Sequence, residues 1–148
     1  MKDIIHALKY DRRRSIAPTL GALMRDCGSE LLRHVDAVVP VPLHPRREYE
    51  RGFNQAADLA RHLGPPVVPM LKRVVHTGSQ IELPKHARRR NVGGVFVLAA
   101  CGSRLPVPGV VVLVDDVATT GATLAECAKV LHQGGVKEVR AITAARVV

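Results

Sequence analysis

Aromatic residues are nearly missing from this chain of 148 residues: two Tyr, two Phe and no Trp. A core must therefore be filled by Val, Leu, Ile and Ala. The same shortage leaves no aromatic platform on which bases could stack, and neither a helix-turn-helix nor a zinc finger is evident, so sequence-specific reading of nucleic acid is not expected. Cysteine is also scarce. Cys27, Cys101 and Cys127 stand far apart with no paired spacing, which excludes a disulfide framework or a zinc site built from cysteine. Cys27 and Cys127 fall on apolar helical faces and are expected in the core; Cys101 is expected in a loop. No apolar run approaches the ~20 residues of a membrane span. The longest, residues 110–114, has the length of a buried strand. The first residues lack the apolar stretch and cleavage site of a signal peptide, so a cytoplasmic protein with no membrane partner is expected.

Positive charge is what the chain has in excess. Its 22 Lys and Arg against 13 Asp and Glu give a formal net charge of +9. Such a charge attracts anions: nucleic acid, phosphorylated metabolites or acidic partners. Arg46, Arg47 and Arg51 form one cluster; Lys72, Arg73, Lys85, Arg88, Arg89 and Arg90 form a second; Arg12, Arg13 and Arg14 form a third. The plain reading of any one cluster is a solvated face, and oligomer contacts would use the same charge.

Length and composition suit one globular domain spanning residues 1–148. Ile4, Ile5 and Leu8 predict a short opening helix. Ser15 is placed to cap the next, with Pro18 tolerated in its first turn. Leu20, Leu23, Met24, Cys27, Leu31 and Leu32 recur at threes and fours and predict one buried face. Residues 35–41 predict a strand closed by Pro42, followed by a basic loop over 43–54. Asn54 then caps a helix through Leu63, with Ala56, Leu59, Ala60 and Leu63 inward, ended by Gly64. Residues 67–75 contain a strand. Residues 76–91 are polar, basic and aperiodic; connections of that length are usually functional. Residues 95–99 predict a further strand and 103–109 a turn. Residues 110–114 predict a buried strand that ends in Asp115 and Asp116. A helix with Leu124, Cys127, Ala128 and Leu131 inward follows, ended by Gly134 and Gly135, and residues 139–145 form the last strand. Strands alternating with helices imply an α/β fold with a mainly parallel sheet.

The chemistry concentrates in residues 111–123. An apolar strand presents two adjacent carboxylates at the edge where open α/β sheets bind ligands. Thr119, Thr120 and Gly121 then turn into a helix start. Backbone N–H groups of residues 120–123, the helix dipole and the hydroxyls of Thr119, Thr120 and Thr123 suit a phosphate monoester. Asp115 and Asp116 lie just upstream, where they accept hydrogen bonds from sugar hydroxyls. A βα turn with one capping threonine is the plainer alternative, but two acids followed by Thr119-Thr120-Gly121-Ala122-Thr123 exceed what capping requires.

That segment resembles the 5-phosphoribosyl pyrophosphate (PRPP) signature of type I phosphoribosyltransferases. Val39-Pro40-Val41-Pro42-Leu43-His44-Pro45-Arg46-Arg47 and Arg51-Gly52-Phe53-Asn54-Gln55-Ala56 resemble the ComF/GntX branch of that superfamily. So do Arg73 to Thr77, Gln80, Leu83, Arg88, Asn91 and Phe96, and the opening residues 5–10. The resemblance covers nearly the whole chain. It implies a three-layer α/β fold with a mainly parallel central sheet flanked by helices. It implies Asp115 and Asp116 at the ribose hydroxyls, directly or through water on a Mg²⁺ ion, and Thr119, Thr120, Gly121, Ala122 and Thr123 at the 5′-phosphate. Arg46, Arg47, Arg51 and Asn54 would face pyrophosphate. Arg73, Thr77, Gln80 and Arg88 would belong to a loop closing over the site. His44 and His76 have no carboxylate partner in sequence and are assigned surface or packing roles. Members of that branch commonly carry an N-terminal zinc ribbon with paired cysteines, a pattern not seen in this sequence. Two functions stay open: Mg²⁺-dependent transfer of phosphoribose to an acceptor, or a non-catalytic ribose-phosphate sensor linked to DNA uptake, with DNA or a DNA-handling protein as partner.

Overall fold

The computed structural model describes residues 14–74, 94–99 and 106–146. The expected opening helix, Cys101 and residues 76–91 lie outside them. A 3₁₀ turn at Arg14–Ile16 leads into α1 (Ala17–Cys27). There follow β1 (Ala37–Pro40), α2 (Pro45–Arg51), α3 (Gln55–Ala60), β2 (Leu71–Arg73), β3 (Phe96–Leu98), β4 (Val110–Ala118), α4 (Ala122–Gln133) and β5 (Glu138–Arg146).

Val111, Val112, Leu113 and Val114 are wholly buried. A strand apolar on both sides must be covered on both faces, as parallel sheets are, and β4 is the middle of a parallel sheet ordered β1-β4-β5. Strand alternation sends Val111 and Leu113 to one face, with Val39, Cys127, Val130 and Leu131. Val112 and Val114 go to the other, with Leu20, Met24, Leu59, Ala60 and Ile142. α1 and α3 thus cover one face and α4 the other, making three layers around a mainly parallel sheet. β2 and β3 pair antiparallel and pack on the α4 side.

Four local expectations need correction. First, Ser15 does not cap α1. Ile16 holds the cap position, makes no side-chain cap bond and is already helical at φ −81° and ψ −25°, because the 3₁₀ turn runs straight into the helix. Second, the inner stripe of α1 is narrower than the apolar spacing suggests. Ala17, Leu20, Gly21 and Met24 are buried, whereas Cys27 is exposed and Leu23 and Leu31 are 57% and 41% exposed. A Cβ on Gly21 would sit 2.5 Å from His62 Cβ, so this glycine sets the line along which α1 meets the segment after α3. Leu23 and Cys27 are turned outward by that line.

Third, residues 43–54 are not all loop: Pro45–Arg51 is helical, with Pro45 in its first turn, Gly52 closing it at φ +76°, and no buried residue. His44 begins it, its Nδ1 accepting from the Arg46 N–H at 3.2 Å, a structural role. Fourth, the strand predicted to end in the two acids runs on past them to Ala118, because β5 keeps pairing as far as Ala118 with Arg146. The expected cap of α3 is present: Asn54 Oδ1 accepts from the N–H groups of Ala56 and Ala57. The expected helix stop at Gly134 is present too. Among the described residues no helix is long and apolar enough to cross a membrane.

Candidate functional site

β1 and β4 run side by side only up to Pro40, which pairs with Val114. The Val41 N–H still donates to the Val114 carbonyl at 2.9 Å. Pro42 has no N–H and the ladder stops. β4 continues through residues 115–118 with β5 alone. The chain leaving β1 goes to the α3 face, while the chain leaving β4 goes to the α4 face. Between two such strands the carboxyl ends of the sheet open into a crevice, the ligand position of open α/β sheets. Asp115 and Asp116 are the first β4 residues beyond the end of β1, and both are half-buried there.

Two adjoining clefts occupy this crevice. One is lined by Asp115, Val117, Ala118 and residues 119–124. The other, of about 420 Å³ including its open side, is lined by Val41, Pro42, Leu43, Asn54, Gln55, Ala56, Arg73, Asp115, Asp116 and Thr123. Asp115 and Thr123 line both clefts, so one elongated ligand can span them.

The first cleft is made by the β4–α4 turn. Gly121 caps α4 at φ +79°, the left-handed region where a Cβ is penalised. Thr119 and Thr120 are exposed at the turn. The first helical bond runs from the Ala125 N–H to the Gly121 carbonyl. The expectation that the amides of 120–123 all stay open needs one correction: the Ala122 N–H donates to Thr120 Oγ1 at 3.3 Å. The N–H groups of Thr123 and Leu124 have no partner among the described residues. Leu124 was not singled out from sequence, although the rule that helix starts leave donors unpaired points to it.

The second cleft takes its wall from the excursion between β1 and α3. Asn54 lines it, but its polar atoms are committed: Oδ1 caps α3 and Nδ2 donates to the Val41 carbonyl at 3.1 Å. Asn54 therefore positions this wall. Arg73 lies on β2 rather than in a closing loop, half-buried, with its guanidinium 5.5 Å from the centroid of the Phe96 ring. Arg46, Arg47 and Arg51 line neither cleft. Arg46 and Arg47 are exposed, and Arg46 Nε donates to Glu50 Oε1 at 3.0 Å. Thr77, Gln80 and Arg88 lie outside the described residues, as does His76.

Two features of the site were not evident from sequence. Gln55 is 2% exposed and its Nε2 has no hydrogen-bond partner among the described residues. A buried unpaired amide donor costs about 1–3 kcal/mol. Beneath the acids, on the α4 face, Cys127 is wholly buried. Burial pushes its thiol up from the ordinary 9.0 to about 12; the charges of Asp115 and Glu126 add to the rise and Arg73 opposes it. The sulfur is a neutral packing group. Glu126 Oε1 also accepts from the Val95 N–H at 3.0 Å and so ties α4 to the strand pair.

A model of the phosphoribosyl transferase domain matches residues 33–147, which include both walls of the crevice. Competence protein F of Haemophilus influenzae is 38% identical over 133 residues, covering 86% of this chain and 58% of that protein. DNA utilization protein YhgH of Salmonella typhimurium is 38% identical over 151 residues, covering 93% of this chain and 63% of that protein. The chain thus spans roughly three-fifths of the length of these relatives. The crystal structure of orotate phosphoribosyltransferase from Aeropyrum pernix shares the fold, with a TM-score of 0.52 at 22% identity, over 95% of this chain and 75% of that one. Fold, crevice and family model agree: the chain belongs to the phosphoribosyl transferase domain family, as a ComF-like member.

Proposed function

We propose that this chain binds PRPP with Mg²⁺ and transfers the phosphoribosyl group to an acceptor nucleophile, releasing pyrophosphate. The observation that carries the reading is the pair of adjoining clefts sharing Asp115 and Thr123. The 5′-phosphate would lie against the turn, with the amides of Thr123 and Leu124 and the hydroxyls of Thr119, Thr120 and Thr123. The ribose hydroxyls would donate to Asp115 and Asp116. The diphosphate would enter the second cleft beside Arg73.

The bond between C1 and the diphosphate oxygen breaks, and its electron pair leaves with the diphosphate. The nucleophile bonds to C1 and gives up a proton. Positive charge gathers on the sugar, and two carboxylates beside it oppose that charge. The chain's part is otherwise positioning. Among the described residues no three His, Cys, Asp or Glu side chains converge to hold a metal by themselves. Mg²⁺ does not need them: one or two carboxylates suffice when phosphate oxygens complete its shell, so Asp115 and Asp116 fit. When bound, the ion would neutralise charge on the departing diphosphate.

Calorimetry with PRPP and Mg²⁺ tests the reading. Wild type is expected to bind. Asp115→Asn and Asp116→Asn should each weaken binding by roughly 10- to 100-fold, as loss of a charge-assisted hydrogen bond does. A wild type that ignores PRPP would end the reading. Pyrophosphate release with a panel of bases, amines and ammonia then tests turnover and identifies the acceptor.

A second reading, a ribose-phosphate sensor that meets DNA or a DNA-handling protein, is favoured by α2. It carries Arg46 and Arg47 outward, buries nothing and leaves Tyr49 91% exposed. Two relatives are named for competence and DNA utilization. DNA affinity that falls steeply between about 50 and 200 mM salt and is competed by PRPP, without turnover on any acceptor, would select it.

A further inference from the structure

β2 and β3 form a two-stranded sheet apart from the main one. Leu71 pairs with Leu98, Lys72 with Val97 and Arg73 with Phe96. A lone pair of strands is marginal by itself, so its place is set by what holds it from outside. At one end the hold is apolar: Leu98 packs on Gly134 after α4, where an added Cβ would come within 2.8 Å of Leu98 Cδ1. At the other end, where Arg73 meets the crevice, the hold is polar. The Val95 carbonyl accepts from the Val74 N–H at 2.8 Å, and the Val95 N–H donates to Glu126 Oε1 at 3.0 Å. Among the described residues this is the one hydrogen bond between the strand pair and α4.

Arg73 is the side chain this anchor serves. It precedes Val74, pairs with Phe96 beside Val95, and lays its guanidinium 5.5 Å from the Phe96 ring centroid. From there it lines the second cleft with Asp115, Asp116 and Thr123. Thr123 stands one turn before Glu126, so the two share a face of α4. The charges of Arg73, Asp115 and Glu126 all act on the Cys127 thiol, which gathers the three around one buried point. Glu126 itself lines neither cleft. We propose that Glu126 is a positioning residue: through the Val95 N–H it holds Arg73 at a set distance from the turn that starts α4, so that one helix gauges both ends of an elongated anionic ligand, whose identity rests on the PRPP reading above. A carboxylate suits the task, because a charged acceptor grips a backbone N–H more strongly than a neutral amide does.

The test uses Glu126→Met, which keeps an unbranched side chain of similar length and removes the acceptor, and Glu126→Gln, which keeps an acceptor. Each is made in wild type and in Arg73→Met. Calorimetry is run with Mg²⁺ and, separately, PRPP, pyrophosphate and ribose 5-phosphate, and amide hydrogen exchange at Val74 and Val95 is followed without ligand. Glu126→Met should weaken PRPP and pyrophosphate by about tenfold, the loss of one hydrogen bond to a charged group. It should leave ribose 5-phosphate unchanged and speed exchange at both amides. Glu126→Gln should recover most of the lost affinity. In the Arg73→Met background Glu126→Met should cost nothing further, because the side chain it positions is gone. An equal loss in both backgrounds would show Glu126 to be a general prop and overturn the proposal. So would a loss that reached ribose 5-phosphate, or full affinity for PRPP and pyrophosphate in Glu126→Met; in either case wild-type binding of PRPP would leave the PRPP reading standing. If wild type bound none of the three ligands, that reading would fall and this proposal with it.

Discussion

The two walls of the crevice are built by different means. The β4–α4 turn is three residues long and is specified locally, by Gly121 at φ +79° and the hydroxyls around it. The β1–α3 wall takes more than a dozen residues, includes a helix with nothing buried, and is held by Asn54 reaching back thirteen positions to Val41. A short turn between a fixed strand and a fixed helix needs only its own backbone chemistry. A long excursion needs an anchor that no neighbouring residue supplies.

Four measurements probe this contrast. Alkaline unfolding reports on the floor under the turn. Folded Cys127 keeps its proton to about 12, against an ordinary 9.0, so the folded state holds the proton where the unfolded chain has begun to lose it. That contribution is complete below about 9 and is lost as pH rises towards 12, at no more than about 1.4 kcal/mol per pH unit. The stability gap between wild type and Cys127→Ala should shrink across that window in urea titrations; a gap independent of pH would mean that the thiol is not desolvated.

Asn54→Ala should cost about 1–2 kcal/mol, since it removes a helix cap and the bond to Val41; a loss under half of that would show that the long wall is held by something else. Gly121→Ala should cost about 1 kcal/mol from backbone conformation alone, because nothing lies within 4 Å of the new Cβ. A neutral result would mean that the turn relaxes. Arg46→Ala should change stability by under about 0.5 kcal/mol, as exposed i,i+4 ion pairs do. A larger effect would show that α2 is fastened to the wall after all.

The turn was legible because everything that makes it lies within nine residues, from Asp115 to Thr123. The α3 cap was legible for the same reason, since Asn54 sits directly before the helix it caps. Helix α2 was hidden although its signals are present: Pro45 at the start, Glu48 in the first turn and Gly52 at the end. It has no apolar period, and apolar period is how helices are recognised in sequence. The outward turn of Leu23 and Cys27 follows from the close approach at Gly21, a contact with a segment some forty residues away. The Gln55 amide, buried and unpaired among the described residues, is less visible still. Burial and the lack of a partner belong to the assembled crevice, and a glutamine beside an asparagine looks the same whether its amide is used or idle.

Because α2 buries no side chain, the core exerts almost no selection on residues 45–51. Pro45, Arg46, Arg47 and Arg51, which carry the resemblance to the ComF branch, therefore owe their identities to something other than burial, and exchanging them should register at the rim of the crevice while the sheet folds as before.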